Sequence, residues 1–206
     1  MKRKETETQS VEYPSVQEMT DDQQIGIVKG IFSSITDKYD FLNRFLSVYQ
    51  DVAWRKRAVS EMNFFNSYRF LDVATGTGDL ALDCANTYEN VNVTGVDFVE
   101  EMVDKGIEKV GTQNLNDRIS LTWGDATNLA FEDSSFDVTA ISFGIRNIPD
   151  KVKVLSEMKR VIMENGQVMI LELTTPDPGF WRSTYSFYLN GLLPKIAKNF
   201  TKNSAP

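Results

Sequence analysis

Phe70-Leu71-Asp72-Val73-Ala74-Thr75-Gly76-Thr77-Gly78-Asp79 is the stretch that decides the fold. An apolar run ends in a glycine pair and passes straight into residues with helical spacing. Glycines at such a turn let the backbone approach a ligand without a Cβ clash, and the helix that starts near Asp79 points free N–H groups at the same spot. Gly76-Thr77-Gly78-Asp79-Leu80-Ala81 also fits the loose pattern G-x-G-x-x-G/A. That pattern alone is weak, since a tight turn needs no ligand.

Three further stretches repeat the arrangement: Gly95-Val96-Asp97, Gly124-Asp125-Ala126 and Ser142-Phe143-Gly144-Ile145-Arg146-Asn147. Each follows an apolar run. Apolar runs at 69–74, 91–96, 118–123, 136–142 and 167–173 read as strands, and helical spacing near 79–88, 99–110 and 150–163 separates most of them. The 123–136 connection reads as loop-rich. Alternating strands and helices predict an α/β fold, a mostly parallel sheet with helices on both faces and right-handed crossovers. In such a sheet the ligand site lies at the carboxyl ends of the strands, so the four stretches describe one rim.

Residues 1–20 are polar and lack periodicity, which predicts a mobile tail. A helical prelude over 21–66 follows: one helix from about Gln24, a second capped by Thr36-Asp37, and a third capped by Asp51. The cofactor-binding core is expected over 67–175. After Pro176, Pro178 and Gly179 break the chain, a last helix over 180–198 and a tail complete a single domain, 21–206.

Composition narrows the chemistry. The chain has 206 residues, a net charge of −7 and no run of lysine or arginine, which argues against a nucleic-acid partner. No apolar run approaches the roughly 20 residues of a spanning helix, and no apolar leader follows Met1, so a cytoplasmic protein is expected. Cys84 is the single cysteine and reads as a buried, inert thiol. There is no histidine, which removes Ser-His-Asp and Cys-His catalysis and the usual general base near neutral pH. The sequence offers no metal site.

Asp97 lies 21 positions after Gly76, where a carboxylate accepts from two ribose hydroxyls. Dinucleotide enzymes and adenosyl-cofactor enzymes both use this geometry; a helix cap is its plainer role. Asp125 can accept from an adenine amine, with Ala126 leaving room for the ring. Asp72, Asp97 and Asp125 together make the rim acidic. A pyrophosphate would be repelled there, whereas a sulfonium with an ammonium would be tolerated. The charge pattern therefore favours S-adenosylmethionine over NAD. Arg146 and Asn147 fall near the reacting group; an ordinary salt bridge to a surface carboxylate is the competing role for Arg146.

On these residues the chain resembles the UbiE/MenG family of S-adenosylmethionine-dependent C-methyltransferases of quinone synthesis. The resemblance runs over about 25–198 and is carried by Phe32-Ser33-Ser34-Ile35-x-x-x-Tyr39-Asp40-x-x-Asn43, Asp51-x-x-Trp54-Arg55, Leu71 to Leu80, Gly95-Val96-Asp97-Phe98 with Met102, Gly124-Asp125-Ala126, Phe136-Asp137 and Ser142 to Asn147. The Phe-Gly-x-Arg-Asn and Tyr-Asp-x-x-Asn elements are far more specific than the glycine turn. It implies a class I, Rossmann-like methyltransferase fold. It also implies cofactor contacts from Thr77, Asp97, Asp125, Ala126 and Ser142; Asp72, Gly76, Gly78 and Phe98 complete the cofactor-binding set. Arg146 and Asn147 are the expected catalytic pair, and Tyr39, Asp40 and Asn43 the expected substrate-binding group. The implied reaction is methylation of a polyprenylated quinol ring, demethylmenaquinol first and a 2-methoxy-6-polyprenyl-1,4-benzoquinol second, with S-adenosylhomocysteine as co-product.

The alternatives are a class I methyltransferase with a small soluble acceptor, an NAD oxidoreductase, or a non-catalytic binding module. A polyprenyl acceptor implies transient peripheral contact with a membrane, through the prelude or the helix holding Phe187, Leu192 and Leu193. The chain departs from the family at Met163-Glu164-Asn165-Gly166, where a Lys-Pro-Gly-Gly turn is usual, and at Leu171-Glu172-Leu173-Thr174. The family continues into further strands where this chain ends at Pro206. The C-terminal strands are thus expected to be missing, leaving an open sheet edge that favours association, including a homo-oligomer.

Overall fold

A computed structural model describes residues 20–174. The expected tail (1–19) and the expected last helix lie outside these residues. Three helices come first: α1 (Asp21–Ile35), α2 (Tyr39–Leu46) and α3 (Gln50–Ser60), with a 3₁₀ turn at Thr36–Lys38 between the first two. The core follows as β1 (Arg69–Val73), α4 (Asp79–Thr87), β2 (Asn92–Asp97), α5 (Glu100–Thr112), β3 (Ile119–Trp123), β4 (Phe136–Ser142), α6 (Lys151–Val161) and β5 (Ile162–Leu171).

All four strand pairings are parallel, in the order β3-β2-β1-β4-β5. The order reverses between β1 and β4, and the crevice above that point is where an open α/β sheet takes its ligand. Phe70 to Val73 and Phe136 to Ile141 are buried without a break, because helices cover both faces of the central strands. One apolar cluster joins Val59, Phe70, Leu80, Cys84, Val93 and Val103; the other joins Leu71, Val73, Val96, Ile141, Val154 and Met158. Cys84 is fully buried, and burial first, then the Asp72 charge, pushes its thiol pKa up. Asp137, also fully buried, accepts from Asn66 N (3.0 Å), the Ser67 hydroxyl (2.9 Å) and Arg69 N (3.3 Å), so it fixes how the chain enters β1.

The structure corrects several local expectations. Helix α1 starts at Asp21, earlier than expected, because Thr20 and Gln23 form a reciprocal capping box. Thr36-Asp37 does not cap a new helix; it forms the 3₁₀ turn. Asp51 lies inside α3, where it accepts from the Ser47 hydroxyl (2.5 Å) and Arg55 (2.8 Å). Strand five does not begin at 167: Ile162 already pairs with Phe136, and the expected turn at 163–166 is absorbed as an irregularity, with Asn165 at φ +64°.

Candidate functional site

A cavity of about 300 Å³ opens over the carboxyl ends of the central strands. Its floor comes from the strand-end loops: Ala74 and Gly76 after β1, Asp97 and Phe98 after β2, Gly124 to Thr127 after β3, and Ser142 to Gly144 after β4. Its opposite wall comes from the prelude through Ile25, Val28, Phe32 and Tyr39. Phe32 and Tyr39 meet edge to face, with centroids 5.7 Å apart. The Tyr39 ring lies over the glycine turn, Cε1 being 3.8 Å from where a Cβ on Gly76 would stand. Gly76 (φ +56°) and Gly78 (φ +79°) both hold left-handed backbone that a side chain would strain.

Of the expected cofactor residues, Gly76, Asp97, Phe98, Asp125, Ala126 and Ser142 line this cavity, as do Tyr39 and Asn147 from the other two groups. Asp97 Oδ2 accepts the Gly76 N–H (2.7 Å) and Oδ1 the Val99 N–H (2.9 Å). It thus joins two cofactor loops, and lone pairs remain for two hydroxyls. Burial raises its pKa, against the N–H groups of Val99, Gly76 and Phe98. Asp125 is exposed and closes a tight turn, with Oδ1 on the Thr127 N–H (2.8 Å).

The other expected residues sit beside the cavity. Asp72 is 1 % exposed beneath the loop; Oδ2 accepts from the Thr75 hydroxyl (2.6 Å) and Oδ1 has no partner among the described residues. Burial pushes its carboxyl up to about 7, opposed by the Thr75 hydrogen bond and reinforced by the Asp97 charge. Thr77 turns inward and donates to Asp40 Oδ1 (2.6 Å), so these two residues bond each other instead of facing the cavity. Asn43 reaches the site through Tyr39: burial raises the Tyr39 pKa and a hydrogen bond from Asn43 opposes it. Arg146 is half exposed and paired with Glu172, the ordinary salt bridge weighed against a role in the reaction.

Sequence reasoning missed Ala74 and the prelude residues Ile25, Val28 and Asp21 as lining groups. It also passed over the strain: Ala74 (φ +54°) and Phe143 (φ +55°) hold left-handed backbone at the ends of β1 and β4. No local pattern marks such positions, because adjacent strand ends impose them.

Two observations test the fit of an adenosyl cofactor. Among the described residues the lining includes the carboxylates Asp21, Asp97, Asp125 and Asp150 and no lysine or arginine, which suits a cationic ligand and not a pyrophosphate. Ser142 Oγ, at the cavity's edge, is buried without a partner among the described residues, and a buried hydroxyl is costly unless something bonds it. The residues fit the group.

Fold and site together define a class I methyltransferase domain. Solved structures agree on the fold: a putative S-adenosyl-L-methionine-dependent methyltransferase from Methanococcus maripaludis has TM-score 0.63 at 19% identity, covering 84% of this chain and 77% of its own. Phosphoethanolamine N-methyltransferase 1 of Haemonchus contortus, solved with S-adenosylhomocysteine, has TM-score 0.65 at 21% identity, over 77% of this chain and 34% of its own. The sequence goes further. The model of the ubiE/COQ5 methyltransferase family matches residues 17–205, and the chain belongs to that family. Among its relatives, the ubiquinone/menaquinone biosynthesis C-methyltransferase UbiE of Citrifermentans bemidjiense is 43% identical over 179 residues, 86% of this chain and 76% of the relative. The demethylmenaquinone methyltransferase of Bacteroides fragilis is 38% identical over 178 residues, 86% of this chain and 73% of the relative. The chain is an S-adenosylmethionine-dependent methyltransferase.

Proposed function

We propose that this protein methylates a ring carbon of a polyprenylated quinol, with demethylmenaquinol as the acceptor and menaquinol as the product. The observation that carries this reading is the pair of relatives above: one is named for ubiquinone and menaquinone synthesis, the other for demethylmenaquinone alone. A benzoquinol acceptor is the second reading, because the first relative's name carries both pathways.

Bound S-adenosylmethionine supplies an electrophilic methyl group. Asp97 is the residue to hold its ribose, Asp125 and Ala126 its adenine, and Ser142 and the Gly76 turn the remainder. The acceptor carbon becomes nucleophilic when a quinol hydroxyl ionises. A phenol with a pKa of ~10 costs about 4 kcal/mol to ionise at pH 7. With no histidine in the chain, electrostatic help must come from elsewhere. Arg146, permanently charged and near enough to act on Tyr39, is the residue to offset that cost by stabilising the phenolate, which requires it to exchange its Glu172 partner for the acceptor. Asn147, on the cavity wall, orients the acceptor, and Tyr39 and Phe32 exclude water above it. With the cofactor bound, attack of the ring carbon on its methyl would form the C–C bond and release S-adenosylhomocysteine, and the ring carbon's proton would pass to water to restore aromaticity.

An isoprenoid tail requires contact with a membrane surface. No helix among the described residues is long and apolar enough to cross one. Exposed Ile31, Val48 and Tyr49 on the prelude suit a peripheral encounter at the cytoplasmic face.

The test is methyl transfer from labelled S-adenosylmethionine to the two reduced acceptors, side by side, for the wild type and Arg146→Ala. Label in the naphthoquinol, lost in Arg146→Ala while S-adenosylhomocysteine still binds, is the expected result. Label only in the benzoquinol would move the protein to the second reading. Full turnover in Arg146→Ala would remove that residue's role.

A further inference from the structure

Lys109 belongs to none of the motifs above, yet it stands where the prelude meets the cofactor loop. It lies near the C-terminal end of α5, with its side chain only 19% exposed. Its ammonium donates to Asp40 Oδ2 (2.6 Å), Asp79 Oδ1 (2.5 Å) and Thr77 Oγ1 (3.0 Å), which uses all three of its donors. The acceptors come from three places: Asp40 from α2, Thr77 from the middle of the glycine turn, and Asp79 from the first residue of α4. Their other valences are also engaged. Thr77 donates to Asp40 Oδ1, and Asp79 Oδ2 is held by Arg55 at 3.1 Å.

Other ties of α1 and α2 to the core lie nearer the surface: Ser33 donates to Glu101 (2.9 Å), Lys29 stands 5.4 Å over the Phe98 ring, and Arg44 lies 3.8 Å from Asp79. Neither α1 nor α2 contains a buried residue, although both supply the cavity's outer wall. Asp40 adjoins Tyr39, whose ring covers Gly76. A cation that grips Asp40 and Thr77 at once therefore sets the distance between the wall and the turn.

We propose that Lys109 is a positioning residue for cofactor binding: it fastens α2 to the Gly76–Gly78 turn, and so keeps Tyr39 closed over the cofactor cavity. Asp40 serves this latch and does not touch the acceptor. The inference rests on the cavity being the adenosyl site, and is independent of which acceptor is methylated.

The test pairs cofactor affinity with local exchange. Lys109→Met keeps the stem and removes the charge. Titration with S-adenosylhomocysteine should show binding weakened at least tenfold. Amide hydrogen exchange should accelerate across residues 21–46 and stay unchanged in β1 and β4. Lys109→Arg should restore most of the affinity. Asp40→Asn should weaken binding similarly, and the double variant should be little worse than either single, because one latch is broken only once. Affinity within twofold of the wild type, or exchange that rises equally through the central sheet, would overturn the proposal. Should Lys109→Met not fold, Asp40→Asn carries both readouts. A wild-type protein that binds no S-adenosylhomocysteine would overturn the cofactor reading itself, a result distinct from the latch failing.

Discussion

Asp72 holds the most consequential single carboxyl in the core. It was read from the sequence as part of an acidic rim; in the structure it lies beneath the loop, its pKa pushed up to about 7 by burial. Between its ordinary value of 3.8 and about 7, the folded protein keeps a proton that the unfolded chain has released. Stability from this group therefore falls as pH rises through that window, by up to about 4 kcal/mol at 1.36 kcal/mol per unit. Asp72→Asn cannot titrate. Thermal unfolding followed from pH 4 to 8 should show the variant gaining on the wild type as pH rises. Parallel curves would mean that the carboxyl is not held protonated. The sequence could not reveal this, because a strand-end aspartate reads alike whether it faces solvent or the sheet interior. Thr77 and Arg146 make the same point: each motif residue was legible, but its direction and its partners, Asp40 and Glu172, come from distant parts of the chain.

Elements were legible where a period repeats, and less so where a nonlocal partner decides. Helix α5 shows its inward stripe plainly in Met102, Val103, Gly106 and Val110, which are buried at helical spacing. The glycine in that stripe has a reason visible only in three dimensions. A Cβ at Gly106 would stand 2.5 Å from Leu121 Cδ1, 3.2 Å from Thr77 C and 3.3 Å from Thr77 O. Leu121 can turn aside; the backbone of the cofactor loop cannot. Gly106→Ala should cost about 1–3 kcal/mol by overpacking and weaken S-adenosylhomocysteine binding, read by thermal shift and titration. Unchanged melting and affinity would show that the loop yields freely. The prelude illustrates the converse. Its helices were expected from spacing, but Asp51 was misread as a cap because its partner Arg55 joins it to Asp79 and Asp83 on another helix. Burial would raise the Asp51 pKa, yet the hydrogen bonds from Ser47 and Arg55 outweigh it and leave the carboxyl below its ordinary range.

At the scale of the whole molecule, four loops from four strands converge on one cavity, and that convergence is legible in the sequence. It follows from topology: parallel strands place all their carboxyl ends on one side, so motifs spread over more than seventy residues share a rim. The cavity's outer wall is legible in the sequence only at Tyr39, since Ile25 and Val28 carry no chemistry of their own and their place follows from how α1 packs. At the sheet's far side, β5 is an edge strand with Val168 (41%) and Ile170 (51%) exposed among the described residues. The central claim is that an ionised quinol attacks through carbon. Its most direct test is the product of transfer from S-adenosylmethionine bearing a ¹³C methyl, examined by NMR after extraction. The account predicts a methyl resonance of an aromatic C–CH₃ in the naphthoquinol ring. An O–CH₃ resonance, or no labelled lipid while the labelled cofactor remains bound, would contradict it.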